Sequence, residues 1–355
     1  PRGMHSKGGE YICTKLETGV TLGANCTIVC GNTLGKHSLI GSGAVICKDV
    51  EPYSIMVGNP GKKIGEIDEK GNRTIYKEKK NILITGITGS LGRALCKEIK
   101  KDEYNIYGIY NSEQKYAHFK RDEICKDIKC FKLNISDTNF NTKIDYILKT
   151  NNINYVIHSA AMKHVDICED NPIEAINTNI ISSETLIKCC KLNNVDNLIG
   201  LSTDKSIEPC NIYGYSKLMM QKIILNNGYS IYQGANFFWS DGSVLDIWMD
   251  QMNKKKKLTI TDIKHQRYFN TLEYVAKIII KNLDIKNKII LPEYVYLIKM
   301  EDLLQSFMEY FDYHEYIIIG SDKIEKNIEE LDDTISNRKL ADKNKIKELI
   351  SEYFY

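Results

Sequence analysis

Apolar residues recur at every sixth position in the first part of the chain. The pattern runs without a break from Leu16 to Ile46, and a mostly small residue follows four positions after each apolar one. The six apolar positions are Leu16, Leu22, Ile28, Leu34, Ile40 and Ile46. This period matches neither a helix nor a strand, and it is typical of a solenoid that stacks aliphatic side chains inside its coils. The pattern therefore predicts a short β-helix over residues 1–62.

A different pattern follows the solenoid. Residues 63–79 are rich in lysine, glutamate and glycine, which favours a linker. Short apolar runs then alternate with amphipathic stretches such as residues 173–194; the runs are NILITG, YNIYGIY, KCFKLN, INYVIHSAA and DNLIGLST. Strands that alternate with helices indicate an α/β fold with a parallel, doubly wound sheet. We expect its core over residues 80–232 and a smaller C-terminal substrate region over residues 233–355.

The composition is that of a protein with an ordinary hydrated surface. The chain has 355 residues, of which 26% are charged, and a formal net charge of +2. This balance gives no reason to expect nucleic acid as a partner. The eleven cysteines are scattered without CxxC pairs, which favours reduced thiols and no metal site. The sequence shows neither a bilayer-spanning apolar run nor a signal peptide, so we expect a cytoplasmic protein without membrane contact.

Three glycines directly follow the first strand of the doubly wound region. Gly86, Gly89 and Gly92 have the spacing G-x-x-G-x-x-G between that strand and a predicted helix. Glycine permits a tight turn and a close approach of the backbone to a diphosphate, which then lies at the helix N-terminus. Three glycines can also form a plain turn, but their position favours a Rossmann-type dinucleotide site.

A tyrosine and a lysine follow the strand LIGLST at helical spacing. Tyr213 and Lys217 are four residues apart, so a helix from residue 213 onward would place both on one face. An ammonium group beside a phenol lowers the pKa of the phenol, which can then act as a base near neutral pH. Asp204 and Lys205 precede this pair, and a loop ion pair is the alternative interpretation of those two.

Together these motifs resemble the extended short-chain dehydrogenase/reductases. The stretches VIHSAAMKHVDICEDNPIEAINTNI and LSTDKSIEPCNIYGYSK resemble the UDP-N-acetylglucosamine 4,6-dehydratases of the 5-inverting kind, which are polysaccharide biosynthesis proteins. The resemblance covers residues 80 to about 335. It implies a tightly bound, recycled NADP or NAD, a UDP-N-acetylhexosamine substrate and a homo-oligomer.

The N-terminal hexads have a resemblance of their own. With the sequence KDVEPYSIMVGNPGKKIG they resemble the C-terminal part of the left-handed β-helix (hexapeptide-repeat) sugar N-acetyltransferases. The usual domain of that family is much longer. The resemblance therefore implies a short left-handed β-helix that has no catalytic site of its own and is fused to the dehydratase-like region.

The dehydratase resemblance implies a role for each polar residue near the Tyr-Lys pair. Tyr213 is the base for oxidation at sugar C4, and Lys217 orients the nicotinamide ribose. Lys205 removes the C5 proton, Asp204 is the acid that helps water leave from C6, and Thr203 hydrogen-bonds the sugar near C4. Hydride return to C6 and reprotonation of C5 from the opposite face complete a dehydration with inversion.

The same resemblance implies two sets of binding residues. The cofactor set is Gly86, Thr88, Gly89, Ser90, Leu91, Gly92, Asn134, Ile135, Ser159, Ala160, Ala161, Lys163, Asn179, Ser202, Tyr213 and Lys217. The substrate set is Lys163, Thr203, Asn236 and Arg267.

Several positions depart from the family, and they cluster where anionic groups would bind. Ser112 stands where the family has an arginine for the 2′-phosphate of NADP, which leaves NADP and NAD both open. Asp241 and Asp322 stand in place of arginines near the substrate diphosphate, where a carboxylate would repel the ligand. Arg267 and Lys326 remain as phosphate partners.

Two other functions stay open at this point. A nucleotide-sugar 4-epimerase or reductase on the same fold would use the Tyr-Lys pair but ordinarily lacks the Asp-Lys pair. A non-catalytic scaffold would bind the cofactor and carry a degenerate acetyltransferase-like tail. Solvent isotope at C5 would separate dehydration with inversion from epimerisation, and cofactor binding without turnover would favour the scaffold.

Overall fold

The chain divides into two compact units, Pro1–Lys79 and Lys80–Tyr355. The structure is a computed structural model that describes residues 12–76, 79–320 and 338–354. Two residues named above for the substrate diphosphate, Asp322 and Lys326, lie outside the described residues.

The N-terminal unit contains short parallel strands that stack in coils. Its strands are β1 (Lys15–Leu16), β2 (Thr21–Leu22), β3 (Thr27–Ile28), β4 (Thr33–Leu34), β5 (Leu39–Ile40), β6 (Val45–Ile46), β7 (Ser54–Val57), β8 (Lys62–Ile67) and β9 (Arg73–Ile75). β1 pairs with β4, β2 with β5 and β3 with β6, each in parallel and eighteen residues apart, as in Lys15 opposite Thr33. Three hexads therefore make one coil. Its left-handed sense and its relation to acetyltransferases stay predictions.

The two coils differ in how well their aliphatic side chains are covered. Leu34, Ile40 and Ile46 of the second coil are fully buried, whereas Leu16 and Leu22 of the first coil are 49% and 45% exposed. A coil buries its aliphatic side chains against the coils on either side. Among the described residues, the first coil has a neighbouring coil on one side only, so the second coil supplies most of the core of this unit.

The segment predicted to be a linker contains two strands. β8 pairs antiparallel with β7, and β9 pairs antiparallel with β8. Gly65 permits the second pairing, because a Cβ there would lie 2.1 Å from a backbone oxygen of β9. Lys63 forms ion pairs with Glu51 and Glu66, both at 3.0 Å, so the charged residues belong to the hydrated side of β8. The linker predicted over residues 63–79 is therefore wrong, since its composition also suits a solvent-facing strand.

The second unit is built on a parallel sheet. Its strands are β10 (Lys80–Thr85), β11 (Tyr104–Tyr110), β12 (Lys129–Lys132), β13 (Tyr155–His158), β14 (Asn197–Thr203), β15 (Ser230–Gly234), β16 (Asn236–Phe237), β17 (Leu258–Ile260), β18 (Gln266–Asn270), β19 (Ile289–Ile290), β20 (Val295–Lys299), β21 (Tyr316–Ile318) and β22 (Arg338–Leu340). The seven-stranded sheet has the order β12-β11-β10-β13-β14-β15-β19, with every pair parallel. The α/β fold with a Rossmann-type parallel sheet is confirmed.

Helices cover both faces of this sheet, and further helices of the unit pack in a smaller C-terminal body. They are α1 (Ser90–Glu98), α2 (Glu113–Phe119), α3 (Phe140–Thr150), α4 (Val165–Asp170), α5 (Pro172–Ile176), α6 (Ser182–Leu192), α7 (Ile212–Asn226), α8 (Val244–Asn253), α9 (Leu272–Lys281), α10 (Met300–Phe311) and α11 (Lys343–Ser351). Ile82 and Ile84 of β10 pack in one core cluster with α1 and α9. Leu83 points to the other face and packs in a cluster with α3, α6 and α7. This alternation follows from the two-residue period of a strand.

The Rossmann core does not end at residue 232 as predicted, because α9 and β19 also belong to it. α9 packs against α1, and Val275 and Ile279 are fully buried in that contact. β19 pairs with β15 and forms an edge of the parallel sheet. Residues 272–290 therefore belong to the Rossmann core rather than to the substrate region, because the apolar face next to α1 needs a second helix to bury it.

The remainder of the C-terminal region forms a smaller body. A four-stranded sheet of order β16-β18-β20-β22 and the pair β17-β21 pack with α8, α10 and α11. Trp248 and Phe307 are fully buried at the centre of this cluster. Among the described residues, no helix combines the length and the apolar composition needed to cross a membrane.

Candidate active site

The glycine-rich turn joins β10 to α1 at the edge where the parallel strands end. Gly86 has φ +71°, and a Cβ on it would lie 3.1 Å from backbone atoms of Ala160. A Cβ on Gly92 would lie 2.3 Å from the carbonyl oxygen of Ile87, so only glycine allows α1 to pack this closely. Gly89 precedes the helix and provides no side-chain cap. The N-terminal N–H groups of α1 therefore remain available to an anionic group.

The turn opens into a cleft with a volume of about 1130 Å³. Most of the predicted cofactor and substrate residues line it, namely Gly86, Thr88, Gly89, Ser90, Leu91, Gly92, Asn134, Ile135, Ser159, Ala160, Ala161, Lys163, Ser202, Thr203, Lys205, Tyr213, Lys217, Asn236 and Arg267. Two predicted residues, Asn179 and Asp204, lie behind the cleft wall. The structure thus brings together residues that are far apart along the chain.

Asn179 acts behind the wall by holding a loop. It lies in a π-helical turn between α5 and α6, where its Oδ1 accepts from the backbone N–H of Met162 at 2.8 Å. Its Nδ2 donates to the carbonyl oxygen of Met162 at 2.9 Å and to Ser216 Oγ at 2.9 Å. These bonds connect the loop after β13 to α7, so Asn179 positions cleft residues without reaching the cleft itself.

The residues after β14 form one tight turn. Thr203 ends the strand and precedes a short 3₁₀ turn over Asp204–Ser206. Asp204 Oδ1 accepts from Thr203 Oγ1 at 2.8 Å and from the backbone N–H of Lys205 at 2.9 Å. Its carboxylate also lies 3.8 Å from Lys205 Nζ. With 5% exposure, Asp204 is engaged inside the turn, while Thr203 and Lys205 face the cleft.

Lys205 has a defined direction in the cleft. Its Nζ donates to Asn236 Oδ1 at 3.0 Å. Asn236 Nδ2 in turn donates to the carbonyl oxygen of Tyr268 at 2.9 Å, which fixes the amide so that its oxygen faces the lysine. Asn236, predicted as a substrate contact, therefore also holds Lys205 in place.

Helix α7 presents the Tyr-Lys pair to the same cleft. Asn211 caps the helix, with its Oδ1 accepting from the backbone N–H of Gly214 at 2.8 Å. A Cβ on Gly214 would lie 2.4 Å from the carbonyl oxygen of Lys205, so glycine lets α7 approach the Asp204 turn. Tyr213 and Lys217 both line the cleft. Sequence reasoning missed Asn211 and Gly214, although an asparagine directly before a helix signals a cap.

Lys217 is almost fully buried, and its Nζ donates to the carbonyl oxygen of Leu201 at 2.7 Å. Burial lowers the pKa of this lysine to about 8. His158, which sequence reasoning also missed, lies buried between Thr85 Oγ1 at 2.8 Å and Ser183 Oγ at 2.9 Å. Burial, and secondarily the charge of Lys217, lowers the pKa of His158 to about 3. The imidazole is therefore neutral and adds no second positive charge beside the lysine.

The carboxylate of Asp241 lies beside the glycine turn and accepts hydrogen bonds from three side chains. Ser90 Oγ donates to Asp241 Oδ1 at 2.7 Å, and Arg93 Nη2 donates to the same oxygen at 3.0 Å. Lys115 Nζ donates to Oδ2 at 2.8 Å. Although burial alone would raise it, these partners hold the pKa of Asp241 well below its ordinary value. Asp241 is therefore paired with two cations beside the glycine turn. Its repulsion of a substrate diphosphate stays a prediction.

Lys163 and His164, which follow β13, contact the loop that carries Asp241 and Gly242. Lys163 Nζ donates to the carbonyl oxygen of Asp241 at 2.5 Å. The His164 ring lies against Gly242, where a Cβ would come within 2.5 Å of it. Loss of hydration lowers the pKa of Lys163 and of His164 below their ordinary values. The loop between β16 and α8 is therefore held at the side of the cleft that contains the glycine turn.

The remaining predicted residues have local partners. Asn134 Oδ1 accepts from Ser136 Oγ at 3.2 Å, and Ser112 Oγ caps α2 by accepting from the backbone N–H of Lys115 at 3.3 Å. Arg267 contacts His265 Nδ1 at 3.3 Å through Nη2. Asn134 and Arg267, both predicted to bind a ligand, line the cleft. Ser112, which stands where the family has an arginine, lines it as well.

Two curated proteins give a sense of what the chain is similar to. It is 33% identical to a UDP-N-acetylglucosamine 4,6-dehydratase (inverting) of Campylobacter jejuni over 215 residues, which are 58% of this chain and 64% of the relative. It is also 33% identical to a UDP-glucose 4-epimerase of Rickettsia bellii over 209 residues, which are 54% of this chain and 59% of the relative. The chain thus spans about three-fifths of the length of these relatives.

The fold and the sequence also match more broadly. The structure of Pen from Bacillus thuringiensis superimposes with a TM-score of 0.65 at 25% identity, covering 71% of this chain and 81% of that one. Residues 82–350 match the family described as polysaccharide biosynthesis protein, which is most of the chain. The protein therefore belongs to the polysaccharide biosynthesis protein family.

Proposed function

We propose that the protein is a nucleotide-sugar 4,6-dehydratase that converts UDP-N-acetylglucosamine to a UDP-2-acetamido-2,6-dideoxy-4-hexulose with inversion at C5. The reaction comprises transient oxidation at C4, elimination of water across C5 and C6, and hydride return to C6. The observation that carries the proposal is that Lys205 and Tyr213, two groups able to move protons, face one cleft beside the glycine turn. The enzyme would work in the cytoplasm as a homo-oligomer.

The residues of the cleft fit a nicotinamide dinucleotide. Gly86 adopts φ +71° and Gly92 leaves no room for a Cβ, and the open N-terminus of α1 offers N–H donors to a diphosphate. Ser159, Ala160 and Asn134 line the path from the turn along the strand ends. When bound, the dinucleotide supplies the acceptor and donor of the hydride, which a protein side chain cannot provide.

The Tyr-Lys pair would perform the first proton transfer. Tyr213 would remove the proton from the C4 hydroxyl as the alcohol is oxidised. Lys217 lies one helical turn away, and its ammonium group favours the phenolate form of Tyr213. The hydrogen bond from Lys217 Nζ to the carbonyl oxygen of Leu201 holds this ammonium group in place at the cleft.

The Asp-Lys turn would perform the elimination. Lys205, as the free amine, would take the C5 proton, which the adjacent 4-keto group acidifies. Asp204, in its protonated form, would give its proton to the C6 hydroxyl, which leaves as water. After hydride return to C6, a donor on the opposite face that exchanges with solvent would protonate C5. Since Asp204 lies inside the turn 3.8 Å from Lys205 Nζ, this role requires its carboxyl group to rotate toward the cleft when substrate binds.

Proton NMR in heavy water tests the proposal. Purified protein is incubated with UDP-N-acetylglucosamine, and the expected product shows a new 6-deoxy methyl signal with deuterium at C5. The Lys205→Met variant, which retains Tyr213 and Lys217, should form the methyl signal far more slowly than wild-type protein. An unchanged spectrum from wild-type protein with bound dinucleotide would rule out the dehydratase.

A 4-epimerase is the second candidate. Two observations favour it, the relative from Rickettsia bellii and the position of Asp204 behind the cleft wall. An epimerase would convert the substrate to its C4 epimer without a methyl signal and without deuterium at C5. The same spectrum therefore separates the two reactions.

A further inference from the structure

Side chains of two helices, α1 and α2, converge on the carboxylate of Asp241. Arg93 follows the glycine turn, Lys115 lies in α2, and each donates to one carboxylate oxygen, at 3.0 and 2.8 Å. Ser90 at the start of α1 donates to the carboxylate at 2.7 Å and accepts from the Asp241 backbone N–H at 2.8 Å. The contact between Arg93 and Asp241 spans 148 residues of sequence.

Lys115 lies close in sequence to the position that contacts the cofactor ribose in Rossmann folds. In Rossmann folds the residue about 20 positions after the glycine turn reads the ribose 2′ position, with an acid for NAD and an arginine for NADP. Here that place is held by Ser112, whose hydroxyl caps α2. Its neighbour Glu113 is bound to Lys132. Lys115 lies three residues further on in α2 and donates to Asp241, to which Arg93 also donates.

We propose that Asp241 sets the cofactor preference of the cleft by occupying Arg93 and Lys115, so that the site takes a dinucleotide with a free ribose 2′-hydroxyl, NAD, and rejects the 2′-phosphate of NADP. This inference rests on the proposed function, which supplies the dinucleotide. A 2′-phosphate would need the two cations that Asp241 holds. It would also bring close to two negative charges beside a carboxylate, a repulsion that disfavours the phosphorylated cofactor.

The loop around Asp241 holds the carboxylate in this position. Lys163 Nζ fixes its backbone oxygen at 2.5 Å, and Asp246 Oδ2 accepts from the backbone N–H of Gly242 at 2.7 Å. Gly242 adopts φ +71° with the His164 ring against it. The loop is thus fixed on both sides of Asp241, and substitution of the carboxylate alone leaves these backbone contacts in place.

Binding of NADH and NADPH to the full chain tests the inference without turnover. Nucleotide retained on purification is first released and identified, and the two dissociation constants are then measured by nicotinamide fluorescence. Wild-type protein should favour NADH. Asp241→Asn should strengthen NADPH binding about tenfold or more, as expected for freeing charge-assisted partners, and leave NADH within about twofold. Asp250→Asn, which removes the same charge from an exposed pair with Lys254, should change neither constant.

A second variant identifies the cation that receives the phosphate. Lys115→Ala in the Asp241→Asn background should abolish the gain in NADPH affinity. An unchanged ratio of the two constants in Asp241→Asn would overturn the inference, and so would an equal gain for both nucleotides, which would place Asp241 at the shared diphosphate. A wild-type preference for NADPH would overturn it without any variant. Wild-type protein that binds neither nucleotide would remove the proposed function as well.

Discussion

The cleft has two ends, and they are built in different ways. The Tyr-Lys end consists of Thr203, Asp204, Lys205, Tyr213 and Lys217, which lie within fifteen residues of sequence and are positioned by one turn and one helix start. The Asp241 end consists of Ser90, Arg93, Lys115 and Asp241, which come from distant segments. The first end has the motifs that resemble the dehydratases, and the second end departs from them. The motif of the Tyr-Lys end is thus contained in one local stretch, whereas the charge of the Asp241 end depends on contacts between residues far apart in the sequence.

The largest expected effect is a loss of product formation when the Tyr-Lys end loses Lys205. Lys205→Met removes the group that faces the cleft beside Asn236, and product formation should fall about 10²- to 10⁴-fold, as for loss of a general base. Rates are measured by the methyl signal. Nucleotide binding should remain at the wild-type level, because the Asp241 end is untouched. A variant with normal turnover would show that Lys205 is only a loop cation.

The next largest effect tests how the two parts of that end fit together. Gly214→Ala forces a Cβ to within 2.4 Å of the Lys205 carbonyl oxygen, so α7 and the turn must separate. We expect a loss of about 1–3 kcal/mol in the free energy of unfolding, measured by urea denaturation. Met219→Ala, at an exposed position of α7, is the matched control and should cost far less. Equal losses in both variants would contradict this close packing.

A pH effect follows from Lys217. The ordinary pKa of lysine is 10.5, and burial lowers that of Lys217 to about 8 in the folded protein. Between about pH 8 and 10.5 the unfolded chain binds more protons, so the contribution of Lys217 makes the free energy of unfolding rise with pH in this window. Thermal melts of wild type and Lys217→Met should diverge there, with the rise missing in the variant. Parallel curves would mean that Lys217 titrates as an exposed lysine does.

The smallest expected effect is a change in NADPH affinity at the Asp241 end when Ser112 is replaced by arginine. Ser112→Arg restores the arginine that the family has at this place. In the presence of Asp241 we expect less than about threefold gain in NADPH affinity, because the new guanidinium joins a cluster whose carboxylate opposes phosphate. The same change in the Asp241→Asn background should give a larger gain. Ser112→Ala controls for loss of the α2 cap, and a full switch to NADPH by Ser112→Arg alone would contradict the role of Asp241.

Local sequence patterns predicted the features that depend on residues close together in the chain. The six-residue period gave the strand positions of the coils, and the glycine spacing gave the turn between β10 and α1. The Tyr213–Lys217 pair lies on one helix, as its spacing predicted, and both side chains line the cleft.

Long-range pairing was outside the reach of those patterns. Nothing near Asp241 in the sequence shows that Arg93 and Lys115 neutralise it, so its charge alone suggested repulsion. The strands β8 and β9 were missed because charged residues suit a hydrated strand as well as a linker. The position of Asp204 behind the wall likewise depends on the hydrogen bonds of its turn rather than on residue type.

The return of α9 and β19 to the parallel sheet limits how this protein can be divided. A fragment that stops at residue 232 would lose the helix packed against α1 and one edge strand, leaving Ile82 and Ile84 with only part of their cover. Exchange of the substrate region between related enzymes therefore has to treat residues 236–271 and the part after residue 290 as two separate insertions. The stretch between them must be kept with the Rossmann-type half, so a chimera with a single junction would pair an incomplete sheet with a foreign helix.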